Sequence, residues 1–307
     1  MTGIIEHVVP LAIAIAIASA QAPGSWRDPS PHTVRFVTVD SSVRLEVLDW
    51  GGSGRPLLLV GCYLTGHAFD TIAPKLAEHF RVFAVTRRGV GASDRPPSGY
   101  DPIRRAADIL DVMTALGIEK PILAGHSCGG WILHTIGADH PERIAGLAYL
   151  EAAEDPTLAM TDYPAPPKGL TAPKPVRAEA PVEFPEAERR AMAEPPMDPA
   201  IRKAMLQDHA VRPEYGRIRV PVLAIYRTTT LAQGLELYAP EDEEARAVLF
   251  QLYAATRGML EKWQADLRAG VPHARIVELP GANLYMFLSN EADIIRELRA
   301  FAAALPR

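Results

Sequence analysis

A serine-centred pentapeptide between an apolar strand and an apolar helix is the feature that most constrains this chain. Gly125-His126-Ser127-Cys128-Gly129 follows the apolar run 121–124 and precedes the apolar run 130–136. A sharp strand-to-helix turn of this kind strains the serine backbone, and glycine at the flanking positions lets neighbouring chain pass close by. Ser127 is therefore predicted at a helix N-terminus, where free N–H groups favour a developing negative charge.

The overall composition is typical of a soluble enzyme domain. The chain has 307 residues, 48% of them apolar, and a net charge of −5. It has no basic block, so we expect no nucleic-acid partner. It contains no His-Glu-x-x-His or Cys-x-x-Cys motif, so we expect no metal and no organic cofactor.

The N-terminal segment has the character of a targeting sequence. Residues 8–20 are apolar but too short to span a bilayer, so no membrane span is expected, and Ala18-Ser19-Ala20 matches a signal-peptidase pattern. The preceding residues carry Glu6 and no Lys or Arg, which a signal peptide normally has. We expect a signal peptide over 1–22 and export to the periplasm or medium. The alternatives are a packed N-terminal helix or a misassigned start, in a cytoplasmic protein.

From residue 33 onward, strand and helix patterns alternate. Alternating polarity predicts an antiparallel hairpin over 34–39 and 43–48, and short apolar runs predict the later strands. Further strands are predicted at 57–60, 82–85, 121–124, 144–150, 220–226 and 275–279. Helices are predicted at 68–80, 103–116, 131–140, 241–267 and 291–305. Such alternation predicts a mostly parallel sheet with helices on both faces.

Residues 152–216 interrupt this regularity. The segment is rich in proline, and only 187–193 and 199–211 have helical patterns. A long irregular insertion in a regular α/β chain is typically functional, so we expect a cap over the active site. A flexible surface excursion is the alternative.

The core segments 33–151 and 217–307 resemble the α/β-hydrolase superfamily. The resemblance is carried by the Ser127 pentapeptide, the turn Arg88-Gly89-x-Gly91-x-Ser93, the segment 147–151 and the final turn 279–283. It implies the α/β-hydrolase fold and a catalytic serine, acid and histidine in that chain order. The serine maps to Ser127.

The acid maps less regularly. In most relatives it follows the strand at 220–226, but the loop 227–230 contains no carboxylate. A variant of the family places it after the preceding strand, where Glu151 stands, and it would accept a hydrogen bond from the catalytic imidazole. Glu154 and Asp155 are weaker candidates, and a solvated carboxylate at a strand end is the non-catalytic interpretation of Glu151.

The resemblance assigns the oxyanion hole to two cysteines. The backbone N–H of Cys128, which follows the serine, and that of Cys62, in the loop after strand 57–60, would be the donors. Amides aimed at one oxygen lie close together, so a Cys62–Cys128 disulfide is conceivable. Two packed thiols are the more ordinary expectation.

The histidine position carries Leu284. Relatives have histidine in the turn that corresponds to Pro280-Gly281-Ala282-Asn283-Leu284, and leucine cannot accept the Ser127 proton. Three explanations stay open: an inactivating substitution, a natural pseudo-enzyme, or another base. His67, on the rim of the expected pocket, is the best-placed replacement, but none of the histidines, His67 included, is convincing.

The resemblance thus implies hydrolysis of a small carboxylic ester or related acyl compound through an acyl-Ser127 intermediate. A serine nucleophile argues against the haloalkane-dehalogenase and epoxide-hydrolase branches, which use an aspartate. The alternative function is that of a pseudo-enzyme that binds a ligand in the same pocket.

Overall fold

A single eight-stranded sheet organises the computed structural model, which describes residues 26–40, 42–155, 182–194, 198–207 and 212–306. The strands are β1 (Thr33–Val39), β2 (Val43–Gly51), β3 (Pro56–Val60), β4 (Arg81–Val85), β5 (Ile122–His126), β6 (Gly146–Leu150), β7 (Val222–Thr228) and β8 (Arg275–Pro280). The helices are α1 (Ala73–Leu76), α2 (Pro102–Ala115), α3 (Gly129–Asp139), α4 (Glu186–Met192), α5 (Pro199–Gln207), α6 (Leu231–Tyr238), α7 (Glu243–Gly270), α8 (Met286–Ser289) and α9 (Glu291–Ala304).

The sheet is mostly parallel, as predicted. Its spatial order is β1-β2-β4-β3-β5-β6-β7-β8, with antiparallel pairing of β1 to β2 and of β2 to β4. Every pair from β4 to β8 is parallel. The predicted hairpin and the predicted mostly parallel α/β sheet are confirmed.

Both faces of the sheet are buried. Along β3, Leu58 and Val60 belong to one hydrophobic cluster while Leu57 and Leu59 belong to the cluster on the other face. This is why the central strands are continuous apolar runs in the sequence. The carboxyl ends of the parallel strands meet at one edge, and the segments that follow β3, β5, β6 and β8 contain the predicted site residues.

Two helical predictions need correction. The predicted helix at 68–80 is a 3₁₀ turn, Gly66–Phe69, followed by the four-residue α1. Pro74 lacks an N–H and clashes with the preceding turn, so a helix can begin beside it but not run through it. Helix α6 was not predicted, although Thr230 and Gln233 form a capping box at its start.

Only part of the expected domain organisation falls on described residues. The predicted signal peptide, 1–22, lies outside them. Of the predicted cap, 152–216, the structure describes α4, α5 and short flanking stretches. In the part of the chain that is described, no helix is both long and apolar enough to cross a bilayer.

Candidate active site

Ser127 lies in the turn between β5 and α3 with a left-handed backbone conformation. Its φ is +51°, a region that costs free energy for any residue except glycine. Its N–H donates to the Leu150 carbonyl at 3.2 Å, and its carbonyl accepts from the Gly130 N–H at 2.8 Å. These hydrogen bonds to strand and helix hold the strained residue in place, and its side chain is only half-buried.

The glycines after Ser127 permit a close approach of backbone. A Cβ atom at Gly129 would lie 2.5 Å from the Val60 carbonyl oxygen, and one at Gly130 would lie 2.0 Å from the Ala152 carbonyl oxygen. Both distances are far below van der Waals contact, so any other residue would push α3 away from the sheet. The strained turn is thus built into the fold, while the nucleophilic role of Ser127 stays a prediction.

Cys62 and Cys128 form a disulfide, which corrects the expectation of two packed thiols. Their Cα atoms are 4.8 Å apart. The bond joins the loop after β3 to the N-terminal end of α3, so the two segments predicted to supply the oxyanion amides are fixed relative to each other. That these amides bind an oxyanion remains a prediction.

Leu284 follows β8 in the turn that leads into α8, and its backbone contacts the residue before Ser127. The His126 Nε2 lies 3.0 Å from the Leu284 carbonyl oxygen, as donor to it. The His126 ring also packs against Phe287, with centroids 5.0 Å apart. Burial lowers the pKa of His126 to about 4, so the ring is neutral at pH 7. His126 therefore braces the 284 turn against the strand.

The carboxylate of Glu151 binds an arginine rather than an imidazole. Its Oε2 accepts from the Arg227 N–H at 2.6 Å, and its Oε1 lies 3.4 Å from the Arg227 Nε. Burial raises the pKa of Glu151, while the hydrogen bonds and charge of Arg227 act in the opposite direction. Among the described residues, no histidine nitrogen lies within 4 Å of this carboxylate. Glu151 is thus at the predicted strand end, with a partner that sequence reasoning missed.

A neighbouring carboxyl group, that of Glu154, has a raised pKa. Burial raises the pKa of Glu154 to about 7, and the charge of Glu151 adds to the effect. Asp155, the other weaker candidate, is buried with its Oδ2 3.5 Å from the Arg212 Nε. Glu154, three residues after Glu151, can therefore accept or release a proton at physiological pH.

The histidines considered as replacement bases have other partners. Burial lowers the pKa of His67, but hydrogen bonds and charges from Asp70 and Glu46 outweigh it and raise the value to about 10. A protonated ring has no lone pair for the Ser127 proton. His134 is buried in α3 between the Tyr149 hydroxyl and the Glu154 carbonyl, at 3.1 and 3.4 Å.

Sequence reasoning also missed Arg87, which follows β4. Its side chain is buried, and its Nη2 lies 3.6 Å from the Cys128 Sγ. Its Cζ lies 5.9 Å from the centroid of the Tyr63 ring. Burial lowers the pKa of this guanidinium, and its Nε and Nη1 have no hydrogen-bond partner among the described residues. An arginine immediately before the Arg88-Gly89 turn was the available signal. For Arg227, the signal was a cation in the loop where relatives carry the acid.

Comparison with known proteins agrees with this architecture. A family model for the alpha/beta hydrolase fold matches residues 55–205. The crystal structure of E-2-(acetamidomethylene)succinate hydrolase superposes with a TM-score of 0.64 at 20% identity, over 89% of this chain and 100% of that one. The fold is therefore that of an α/β hydrolase.

Curated relatives match over shorter stretches. Epoxide hydrolase 4 of Mus musculus is 33% identical over 135 residues, which cover 42% of this chain and 38% of that protein. Fluoroacetate dehalogenase of a Burkholderia species is 36% identical over 107 residues, which cover 33% of this chain and 35% of the enzyme. The chain thus matches little more than a third of the length of these relatives, and both are hydrolytic enzymes by name.

Proposed function

We propose that this protein is a serine hydrolase that cleaves a small carboxylic ester or related acyl compound through an acyl-Ser127 intermediate. The observation that carries the proposal is the geometry at Ser127: a strained residue between strand and helix, next to two cysteine amides whose Cα atoms are 4.8 Å apart. A serine at this position argues against the haloalkane-dehalogenase and epoxide-hydrolase branches, which resemble this fold but use an aspartate.

The chemistry would follow the usual acyl-transfer sequence up to the proton transfer. Ser127 Oγ attacks the carbonyl carbon, the carbonyl oxygen becomes an oxyanion facing the Cys62 and Cys128 amides, and the alcohol leaves with the serine proton. Water then releases the acid from Ser127. Both steps need a base that can take a proton and return it, and Leu284 has no such group.

Leu284 therefore impairs the reaction in this proposal. Removing the base of such a triad costs on the order of 10⁶ in kcat, and on the order of 10³ to 10⁴ over water remains from binding and the oxyanion hole. We expect slow turnover in which Ser127 is the reacting group.

The cap is part of the same proposal. Glu188 of α4 contacts Thr65 of the loop that carries Cys62. Phe184, just before α4, packs edge-on against Tyr285 with ring centroids 4.7 Å apart. The described end of the insertion thus contacts both loops that flank Ser127, which supports its role in shaping the substrate pocket.

The test is to restore the histidine. Leu284→His should raise hydrolysis of a short p-nitrophenyl ester by several orders of magnitude, because the imidazole can accept the serine proton. Adding Ser127→Ala should abolish the gain. If a folded Leu284→His variant shows no gain, the proposal is wrong.

The restored enzyme also tests Glu151. With Leu284→His as background, Glu151→Gln should lower kcat by orders of magnitude, because the imidazolium loses its stabilising carboxylate. Glu183→Gln, a substitution at an exposed carboxylate, is the matched control and should leave kcat unchanged. Equal effects of the two substitutions would remove Glu151 from the site.

One observation favours a second function, that of a ligand-binding pseudo-enzyme. Arg227 holds Glu151, and His126 binds the Leu284 carbonyl, so the polar groups that a triad histidine would meet already have partners. A pseudo-enzyme would bind a trifluoromethyl ketone analogue reversibly, with equal affinity in Ser127→Ala, and would gain no activity from Leu284→His. A hydrolase would lose that affinity with Ser127→Ala, because the serine adds covalently to the ketone.

Export belongs to the proposal as well. The Cys62–Cys128 disulfide supports it, since disulfides persist in oxidising compartments. N-terminal sequencing of the protein recovered from an expressing bacterium should show cleavage near Ala20. An intact N-terminus in the cytoplasmic fraction would contradict export.

A further inference from the structure

We propose that Asp28, His32, His67 and Asp70 form a binding site for a single zinc ion. One ligand atom from each residue lies within 4.8 Å of the other three. Asp28 and His32 belong to the segment before β1, whereas His67 and Asp70 belong to the 3₁₀ turn after β3 and its C-cap. Two segments that are distant in sequence therefore contribute two ligands each.

The distances between these atoms fit a shared ion. His67 Nδ1 lies 3.0 Å from Asp28 Oδ2 and 3.1 Å from Asp70 Oδ2, and His32 Nδ1 lies 3.2 Å from Asp70 Oδ1. Ligand atoms at about 2.0 to 2.2 Å from a tetrahedral zinc are themselves about 3.4 Å apart. The site needs only small side-chain shifts to close around the ion.

Three of the polar atoms have no hydrogen bond that explains their burial. Asp28 Oδ2, His32 Nδ1 and Asp70 Oδ1 are buried, and the atoms that they approach at 3.0 to 3.8 Å belong to other members of the cluster and lack hydrogen-bond geometry. The side chains of His32 and Asp70 are only 3% and 6% exposed. Buried polar atoms without partners are costly, and a cation that they share removes that cost.

The surrounding hydrogen bonds orient the ligands in advance. Asp28 Oδ1 accepts from the Ser30 N–H at 2.9 Å, so its Oδ2 is left to face the cluster. Ser30 Oγ in turn accepts from the Trp50 Nε1–H at 3.0 Å, which anchors this segment to β2. Such bonds hold ligand side chains in position, as in known metal sites.

Glu46 completes the arrangement behind His67. Its Oε1 lies 3.7 Å from His67 Nε2, and its Oε2 accepts from the Thr86 hydroxyl at 2.6 Å. A carboxylate behind the outer nitrogen of a metal-bound histidine fixes the ring and raises its basicity. Glu46 is thus a positioning residue for the proposed site.

The donor set selects the metal. Two imidazoles and two carboxylates match the nitrogen and oxygen ligands of zinc, and their two negative charges balance a divalent ion. Four protein ligands close a tetrahedral shell, which is typical of structural zinc sites, whereas catalytic sites keep one open position. The ion would clamp the segment before β1 onto the loop region that carries Cys62, and it would take no part in acyl transfer.

Sequence motifs gave no sign of this site. Its ligands form two pairs in the sequence. Asp28 precedes His32 by four residues, and His67 precedes Asp70 by three. Neither pair is a known zinc motif, and their meeting depends on the tertiary fold. The alternative is an ion-pair network in which a protonated His67 bridges the two aspartates.

Titration of the chelator-stripped, full-length chain with zinc chloride by isothermal calorimetry tests the proposal. We expect saturable binding of one ion per chain. Asp28→Asn and His32→Gln should each weaken it more than 100-fold, and Glu46→Gln about 10- to 100-fold, as losses of supporting carboxylates do. His140→Gln, at an exposed histidine immediately after α3, is the matched control and should leave affinity unchanged.

Cobalt substitution supplies a readout that does not depend on the variants. Binding of Co²⁺ to the unmodified chain should give the intense visible absorption of a tetrahedral ion, and one equivalent of zinc should displace it. Zinc should also raise the Tm of the unmodified chain but not that of Asp28→Asn, since binding to the folded state stabilises it. The absence of stoichiometric zinc binding, or equal affinity in His32→Gln, would overturn the site and leave the ion-pair network.

Discussion

At the scale of single residues, neighbours in the sequence hold Ser127 in its strained conformation, whereas Glu151 and Leu284 contact residues that are distant in the sequence. The backbone of Ser127 follows from its own glycines and from the strand and helix beside it, so the pentapeptide alone located the strained turn. The partners of Glu151 and Leu284 depend on which side chains the sheet brings together. Arg227 lies 76 residues from Glu151 in sequence, and no pattern within a short window indicates that contact.

His134 illustrates a residue whose burial has a measurable consequence. A neutral ring protonated on Nε2 donates to the Glu154 carbonyl and accepts from the Tyr149 hydroxyl on Nδ1. Burial lowers the pKa of this imidazole to about 4 from its ordinary value of 6.5. The unfolded chain therefore binds a proton between pH 6.5 and 4 that the folded chain does not bind, and stability falls as the pH falls through this window.

We predict that His134→Gln flattens the pH dependence of stability. From pH 7 to pH 5 this histidine should lower the free energy of unfolding by about 2 kcal/mol, and that share should be missing in the variant. Urea denaturation at the two pH values measures it. His140→Gln, at an exposed position, should keep the dependence of the unmodified chain. An identical slope in His134→Gln would mean that the ring is not held neutral.

At the scale of elements, the central strands were predictable because they are short apolar runs buried on both faces, and the first hairpin because its polarity alternates. Helices were less predictable where a proline or a capping residue sets the boundary, as in the shortened α1 and the unexpected α6. A buried polar contact joins α4 to the loop after β3. The Glu188 side chain is buried, and its carboxylate accepts from the Thr65 N–H at 3.2 Å and from the Thr65 hydroxyl.

We predict that Glu188→Ala releases α4 from the core. The change leaves the buried Thr65 N–H and hydroxyl unsatisfied, a cost of about 1 to 3 kcal/mol. Hydrogen exchange across 182–194 should become faster while the amides of β5 and β6 keep their protection. Glu188→Gln retains an oxygen acceptor. Its exchange should be faster than that of the unmodified chain and slower than that of Glu188→Ala.

The control for this experiment lies in the same segment. Glu183→Ala removes an exposed carboxylate that pairs with Arg189, and a surface ion pair of this kind contributes little. Exchange across 182–194 should therefore be unchanged by it. If both substitutions accelerate exchange equally, Glu188 has no special part in holding α4.

At the scale of the whole molecule, the mostly parallel sheet was predictable and the covalent cross-link was not. Alternating strand and helix patterns are enough to specify a parallel α/β sheet, since parallel strands need crossover helices. The Cys62–Cys128 bond spans 66 residues and requires two particular loops to lie within disulfide range. That condition is a property of the finished fold, so from sequence the bond was only one of two alternatives.

Loss of this cross-link should destabilise the whole domain. The cross-link closes a loop of this length and so restricts the conformations of the unfolded chain. In the chain-entropy model this raises the free energy of unfolding by about 4 kcal/mol. The double variant Cys62→Ser/Cys128→Ser should lose about that free energy of unfolding in guanidinium titrations. The unmodified chain in excess dithiothreitol should show the same loss, because both treatments open the same loop. A double variant as stable as the oxidised chain would mean that native contacts alone hold the Cys62 loop against α3, and that the disulfide is not needed to keep the two cysteine amides together.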